Sequence, residues 1–456
     1  MFAELYPAQK SFFQSQQTRA IDFRLQKLKA LRKSILQHEQ EIKDALHADF
    51  RKPEFETLTS EIAVVIDELN LHIKKLKSWG RPRRVMSSVV NFPSSARIYP
   101  EPYGNVLIIS PWNYPFNLAM MPLIGAVSAG NTVVLKPSEY SPATSQVIQK
   151  IVEEVFTPEH VSVVQGGISE AQELLKLPWN YIFFTGSTVV GKYVYKAAAE
   201  HLTPVTLELG GKSPVIVDKT ADLPLAAKRL VWAKFLNAGQ TCIAPDYILI
   251  DEQVSERFIE LLRKEIIQTY GADAKQSPYY PRIINKKNLR RLENSLKGQN
   301  FVYGGQIDAE DLYVAPSIVL NPSLDSDLMQ YEIFGPVLPV ISCKNRDEME
   351  QIIQQHSHPL AFYIFSNDKK TQQYFIDKYS FGGGVINDAI VHFINHRLPF
   401  GGVGKSGIGR YHGRYSFDTF SHYKPVVKRA TWLDLPFRYL PPTSLKEKVI
   451  RFFLMR

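Results

Sequence analysis

Residues 104–139 read GNVLIISPWNYPFNLAMMPLIGAVSAGNTVVLKPSE, and the parsing of this stretch decides the fold. Residues 102–135 carry no charge at all, a length sufficient to span a bilayer as a helix. Pro111, Pro115 and Pro122 interrupt the run, as do Asn113, Asn117 and Asn131. Proline breaks a helix, and side-chain amides are costly in lipid. The stretch therefore reads as a buried strand over 106–109, a loop, a buried helix and a second buried strand over 132–135, with a transmembrane helix as the competing parse. A parallel strand buried on both faces is continuously apolar rather than alternating, which these short runs are.

Working outward, apolar runs recur at 161–164 and 181–184, separated by helix-length segments. That is the rhythm of βαβ units. It restarts at 214–217 and continues through 247–250 and 337–340. Two α/β domains in tandem follow. Upstream, Leu58, Ile62, Val65, Ile66, Leu69, Ile73 and Leu76 fall on one helical stripe, ended by Trp79-Gly80-Arg81-Pro82. Residues 82–102 are polar and proline-containing and suit an extended excursion or hairpin. No repeat of fixed period is visible.

Composition bounds the function. The 456 residues are 45% hydrophobic and 22% charged, which excludes disordered, collagenous and coiled-coil classes. The net charge of +9 suits an anionic partner: nucleic acid, a lipid surface or a phosphorylated cofactor. No nucleic-acid module or aromatic-basic platform is seen, so nucleic acid is not expected. From Lys424 onward eight basic residues, Arg456 among them, face two acidic ones. Leu445, Val449, Ile450, Phe452, Phe453 and Leu454 give this tail an apolar face, so a short basic amphipathic helix is expected. Only Cys242 and Cys343 occur. Two cysteines exclude a disulfide framework and point to a reducing, cytoplasmic setting. Neither belongs to a CxxC pair or a His cluster, so no metal site is expected. Residues 1–30 lack an apolar core, so no signal peptide is expected.

Five segments carry candidate chemistry. Cys242 ends Gly239-Gln240-Thr241-Cys242, after a helix-like stretch over 222–237. A thiolate is a strong nucleophile, and nearby positive charge lowers its pKa; the competing reading is a small buried hydrophobe. Cys343 follows an apolar run and reads as structural. Glu208 lies in Leu207-Glu208-Leu209-Gly210-Gly211. A partly buried carboxylate there has a raised pKa and suits a general base, against a salt-bridged structural role. Thr185-Gly186-Ser187 follows a strand and opens a helix, where backbone N–H groups meet phosphate, although Gly-Ser turns are common. Lys136 and Glu139, at the carboxyl end of the 132–135 strand, suit ribose hydroxyls or a solvated turn. Asn113, in Pro-Trp-Asn-Tyr-Pro, suits an oxyanion donor or an aromatic-packed turn.

Taken together, PWNYP at 111–115, KPSE at 136–139, FTGS at 184–187, LELGGKSP at 207–214, GQTC at 239–242, EIFGPV at 332–337 and PFGG at 399–402 appear in one order. Over residues 1–430 the chain resembles the aldehyde dehydrogenase superfamily. The segments NHRLPFGGVGKSGIGRYHG and YSFDTFSH resemble its class 3 branch, which includes fatty aldehyde dehydrogenases. The resemblance implies Cys242 as nucleophile and Asn113 with the Cys242 backbone N–H as oxyanion donors. It implies Glu208 as the base that activates water against a thioester. It places Glu332 on the nicotinamide ribose and Phe334 near the ring, Lys136 and Glu139 on the adenosine ribose, and Thr185, Gly186 and Ser187 beside the pyrophosphate. The cofactor implied is NAD, with NADP left open. Glu208 favours release of the free acid over transfer to coenzyme A. Tyr114, Trp232 and Leu236 are expected to wall the channel for an apolar aromatic, medium- or long-chain aldehyde.

The resemblance also implies a Rossmann-like cofactor domain (1–80 and 103–208) and an α/β catalytic domain (209–415). A small β bridging element (81–102 and 416–430) would pair across a homodimer. The tail, 431–456, is read as a cap over the substrate funnel, a peripheral membrane contact or a solvated helix. A non-catalytic binding protein would have no need of the full set of Cys242, Glu208, Asn113 and Glu332.

Overall fold

The computed structural model describes residues 2–455; Met1 and Arg456 lie outside the described residues. The uncharged stretch folds as strand Asn105–Ile109, loop, helix Asn117–Ala129 and strand Thr132–Lys136. Among the described residues no helix is long and apolar enough to cross a membrane. Helix Asn117–Ala129 is instead buried on nearly every side. Val106, Leu107, Ile108, Val133, Val134 and Leu135 are fully buried. Each contributes about 1.5–3 kcal/mol on leaving water, which is why both strands run without polar alternation.

These strands form the centre of a six-stranded sheet in the order Gly407–Ile408, Val205–Glu208, Tyr181–Thr185, Asn105–Ile109, Thr132–Lys136, Val161–Val163. All its pairs are parallel except the first. A seven-stranded sheet follows, ordered Phe301–Tyr303, Ser317–Leu320, Val337–Cys343, Tyr247–Asp251, Pro214–Val217, Ala361–Phe365, Gly383–Ile386. Only its first pair is antiparallel. The third sheet is an antiparallel ribbon of Arg83–Val85, Ser94–Pro102 and Ser421–Arg429.

Two details depart from the expected boundaries. Residues 416–420 are not strand: helix Arg414–Thr419 comes first, and the ribbon strand begins at Ser421. The helix seats on Asn117–Ala129, where a Cβ on Gly125 would lie 2.9 Å from Ser416 Cβ. The short strand Gly407–Ile408, inside the segment expected to belong to the second domain, returns to the first sheet and pairs with Glu208 and Leu207. A Cβ on Gly407 would lie 2.4 Å from the Leu207 carbonyl, so only glycine allows this approach. Nearby, the buried Glu68 carboxylate accepts from His72 Nε2, Gly413 N and Ser416 Oγ. It thereby ties helix Ala63–Trp79 to the segment holding Tyr411 and His412.

The tail forms helix Ser444–Leu454, capped by Thr443 Oγ1 accepting from Lys446 N, and none of its residues is buried.

Candidate functional site

The carboxyl ends of strands Asn105–Ile109, Thr132–Lys136, Tyr181–Thr185 and Val205–Glu208 lie at one edge of the first sheet, where α/β folds place ligands. Two cavities meet there. One is narrow, about 60 Å³, with walls that include Tyr114, Leu118, Leu236, Ile243, Ile390, Phe393, Phe400, Tyr411 and His412. The other is a cleft of about 570 Å³, bordered by Trp112, Asn113, Thr185, Gly186, Ser187, Gly210, Arg291, Glu332 and Phe334. Leu118, Thr185, Glu208, Leu209 and Cys242 line both.

The residues before Cys242 act as girders. Helix Leu223–Phe235 ends, and Asn237 (φ 54°) and Ala238 (φ 50°) turn left-handed. Gly239 follows at φ 71°, with its Cα so close to Gly335 that a Cβ would lie 2.3 Å from that carbonyl. The buried Gln240 amide donates to the carbonyls of Asn237 and Arg282 and accepts from Ile284 N. Thr241 Oγ1 bonds the Tyr114 hydroxyl at 2.7 Å. Asn113 is buried; its amide donates to the Gln240 carbonyl at 3.0 Å, and its own carbonyl accepts from Asn237 Nδ2 at 2.8 Å.

The electrostatics run opposite to the expectation of a thiol activated by positive charge. Burial pushes the Cys242 thiol up to about 12, and the carboxylates of Glu332 and Glu208 add to the rise, against the N–H groups of Cys242 and Ile243. Glu208 closes its strand, its carbonyl accepting from Gly186 N at 2.9 Å. Both carboxylate oxygens are buried without a hydrogen-bond partner, and burial holds the group well above the ordinary carboxylate range.

Glu332 rises to about 8, first through burial and then through Asp246. Its segment is clamped from both sides. Lys212 Nζ donates to Asp246 Oδ2 (2.6 Å) and to the carbonyls of Leu328 and Tyr331, while Asp246 Oδ1 accepts from Ile333 N. Arg291 donates to the carbonyls of Ile333 and Phe334. Phe334 sits at φ 46°, a strained setting for a bulky residue, with its ring 5.3 Å from that of Trp112.

The cleft fits a dinucleotide. Helix Thr188–Ala199 opens on it, with Ser187 Oγ accepting from Val190 N and the other first-turn N–H groups available to an anion. Thr185 Oγ1 is buried without a partner, and Gly210 leaves room for the Glu332 carboxylate. Lys136 and Glu139 stand at the end of the neighbouring strand, outside this lining. Lys136 Nζ donates to the Gly166 carbonyl at 2.7 Å and pairs with Glu139 at 3.5 Å.

Of the expected channel residues, Tyr114 and Leu236 line the narrow cavity. Trp232 does not; it is 42% exposed. Trp232 lies within helix Leu223–Phe235, whereas Leu236 follows the helix end with non-helical backbone (φ −51°, ψ 134°). Phe400, Tyr411 and His412 also line the narrow cavity; they lie in the PFGG and RYHG segments, whose residues carry no chemistry that marks them as channel walls. Lys212, Asp246 and Arg291 were not legible either, because they act through backbone carbonyls and leave no spacing signature.

The family model for the aldehyde dehydrogenase family matches residues 4–426. The chain belongs to the aldehyde dehydrogenase family. It is similar to 4,4'-diaponeurosporen-aldehyde dehydrogenase of Staphylococcus aureus, with 47% identity over 97% of each chain. It is also similar to the dimeric NADP-preferring aldehyde dehydrogenase of Canis lupus familiaris, with 43% identity over 97% of this chain and 98% of that one. A solved structure of Staphylococcus aureus AldH in a substrate-bound state superposes with TM-score 0.97 and 45% identity, covering 99% of both chains. This aldehyde dehydrogenase therefore oxidises aldehydes with NAD, and NADP remains open to it.

Proposed function

We propose that the junction of the two cavities is the reaction centre, with the aldehyde entering by the narrow cavity and the dinucleotide by the cleft. The observation that carries this is the presence of Cys242 and Glu208 on the walls of both. Cys242 Sγ bonds the carbonyl carbon, the thiol proton leaves to water in the cleft, and a thiohemiacetal forms. The oxygen gains negative charge beside the Asn113 amide, which keeps one N–H beyond the bond to Gln240, and beside the Cys242 N–H. Fixed donors aimed at developing charge are worth about 10²–10³ in rate. When held there, the nicotinamide would accept the hydride released from the thiohemiacetal carbon, whose oxygen collapses to the carbonyl of a thioester on Cys242. Glu208 then takes a proton from water, which attacks the thioester and frees the acid. Burial holds Glu208 well above the ordinary carboxylate range, which makes its carboxylate a stronger base toward that water.

Glu332 holds the nicotinamide ribose, Phe334 flanks the ring, and Thr185, Gly186 and Ser187 receive the pyrophosphate at the helix terminus. Lys136 and Glu139 take the adenosine ribose. The Glu139 carboxylate repels a 2′-phosphate, and its pairing with Lys136 softens that bias, which keeps NADP usable. Tyr114 and Leu236, with the aromatic walls, accept a slender apolar aldehyde: aromatic, medium-chain or long-chain. Replacing Cys242 by alanine is expected to abolish reduction of NAD by any such aldehyde; full turnover would overturn the assignment.

The ribbon strand Ser421–Arg429 is an exposed edge with Val426 and Val427 half in solvent, an open template for pairing. With the similar enzyme named dimeric, this supports a homodimer built through the ribbon; a monomer in dilute light scattering would contradict it. The tail helix sets Leu445, Ile450 and Leu454 in solvent beside Lys446, Lys448 and Arg451, which suits an anionic membrane surface. Charge reversal of those three basic residues should abolish sedimentation with anionic vesicles; unchanged sedimentation would remove this reading.

A further inference from the structure

Lys52, Glu56 and Glu61 lie just before helix Ala63–Trp79, in a part of the chain that contributes none of the residues assigned to the reaction. Lys52 and Glu61 are wholly buried and pair at 2.6 Å. Glu56 is buried beside them, with Oε1 lacking any partner. Two buried carboxylates and one ammonium are expensive to keep, because desolvation of each charge costs several kcal/mol. Plain packing would be served as well by apolar side chains of similar volume.

What the three groups touch explains their presence. Glu61 Oε2 accepts from Asn117 N at 2.8 Å, and the same carboxylate receives Phe116 N, both at the end of the loop that carries Asn113 and Tyr114. Lys52 Nζ sits 4.0 Å over the Tyr114 ring, a cation held against an aromatic face. Glu56 receives the N–H of Asn237, the left-handed residue that begins the turn to Cys242. The two loops then meet directly, through Asn237 Nδ2 to the Asn113 carbonyl, Asn113 Nδ2 to the Gln240 carbonyl, and Tyr114 to Thr241. A wide helical turn at Leu58–Ile62 brings Glu61 to this position while setting Ser60 on the channel wall. Such wide turns concentrate at functional sites.

We propose that Lys52, Glu61 and Glu56 form a buried positioning group that fixes the Asn113 loop against the Cys242 loop and so sets the oxyanion donors relative to the sulfur. None of the three touches the substrate. The inference rests on the reading of Asn113 as an oxyanion donor. A misplacement of about 1 Å in such a site costs about 10²-fold in rate, so the group is expected to act on kcat and not on cofactor binding.

A double-mutant cycle on the full chain tests it. Glu56→Leu keeps volume and removes the acceptor of the Asn237 N–H, while Glu56→Gln keeps an acceptor. Glu56→Leu should lower kcat by about 10- to 100-fold with KM for NAD within about twofold, and Glu56→Gln should stay within about threefold of the parent. In an Asn113→Ala background, Glu56→Leu should cost less than about threefold more, because the donor it positions is gone. Should Glu56→Leu fail to fold, Lys52→Met, which frees Tyr114 and Glu61, carries the same cycle. Additive losses, equal losses for Gln and Leu, or a matching rise in KM for NAD would each overturn the inference. An Asn113→Ala enzyme with full turnover overturns the oxyanion reading and this inference with it. An impaired Asn113→Ala enzyme with additive losses overturns this inference alone.

Discussion

Replacing Gly210 by alanine isolates the Glu332 carboxylate without touching it. An added Cβ would lie 2.1 Å from Glu332 Oε2, 2.7 Å from its Cδ and 2.9 Å from Oε1. Real Cβ contacts do not fall below 3.0 Å, so the carboxylate must retreat by about 1 Å. Gly210 does not occupy the positive-φ region, so the backbone accepts alanine without strain. Glu332 is partly exposed to the cleft and has somewhere to go, whereas its backbone stays clamped by Lys212, Asp246 and Arg291. At pH 9, above the Glu332 value of about 8, the carboxylate is ionised; hydrogen bonds to a charged group are worth about 1.5–3 kcal/mol, and 1.4 kcal/mol is about tenfold in affinity. Gly210→Ala is therefore expected to raise the dissociation constant for NAD by about 10- to 100-fold, with a far-ultraviolet spectrum and urea midpoint close to the parent. Isothermal titration calorimetry with NAD measures it directly. Unchanged NAD affinity would refute the placement of the ribose on Glu332.

Two further outcomes follow from the electrostatics. A Cys242 thiol near 12 means that its alkylation by iodoacetamide in the cofactor-free enzyme climbs about tenfold per pH unit from pH 7 to pH 10, measured with Cys343 replaced by serine; a plateau by pH 8 would contradict this. Burial alone would raise Glu68, but the His72 ring beside it, then His412 and Gly413 N–H, bring it down to about 2. Its contribution, about 3 kcal/mol by linkage, is present above about pH 4.5 and is lost as pH falls toward 2. The stability gap between the parent and Glu68→Gln should therefore begin to narrow below about pH 5 and close only near pH 2 in urea unfolding.

The first sheet was readable because its central strands are buried on both faces and announce themselves as uncharged runs. Two of the edge strands were not. Gly383–Ile386 alternates between half-buried and exposed and holds two glycines, and Gly407–Ile408 is two residues long. Their existence depends on neighbours distant in sequence. The same division runs through the site. Cys242, Glu208 and Asn113 sit in short motifs with chemical meaning; Cys242 and Glu208 line both cavities, and Asn113 borders the cleft. The direction of the Cys242 pKa was not legible, because it is set first by burial in the folded chain and then by Glu332 and Glu208, which lie far from it in sequence. Trp232 stands 42% exposed on helix Leu223–Phe235, outside the lining of either cavity, while Leu236 lies past the helix end and lines the narrow one. The Lys52 group left no motif, since its partners are backbone N–H groups that any sequence supplies.

The central claim is that oxidation passes through an acyl group on Cys242 that Glu208 helps to release. Its most direct test is rapid acid quench of Glu208→Gln during turnover with NAD and a medium-chain aldehyde, followed by peptide mass spectrometry. The expected result is a stoichiometric burst of reduced cofactor, slow turnover after it, and the acyl mass on the peptide containing Cys242. A Cys242 peptide that stays unmodified while product forms at the parental rate would contradict it.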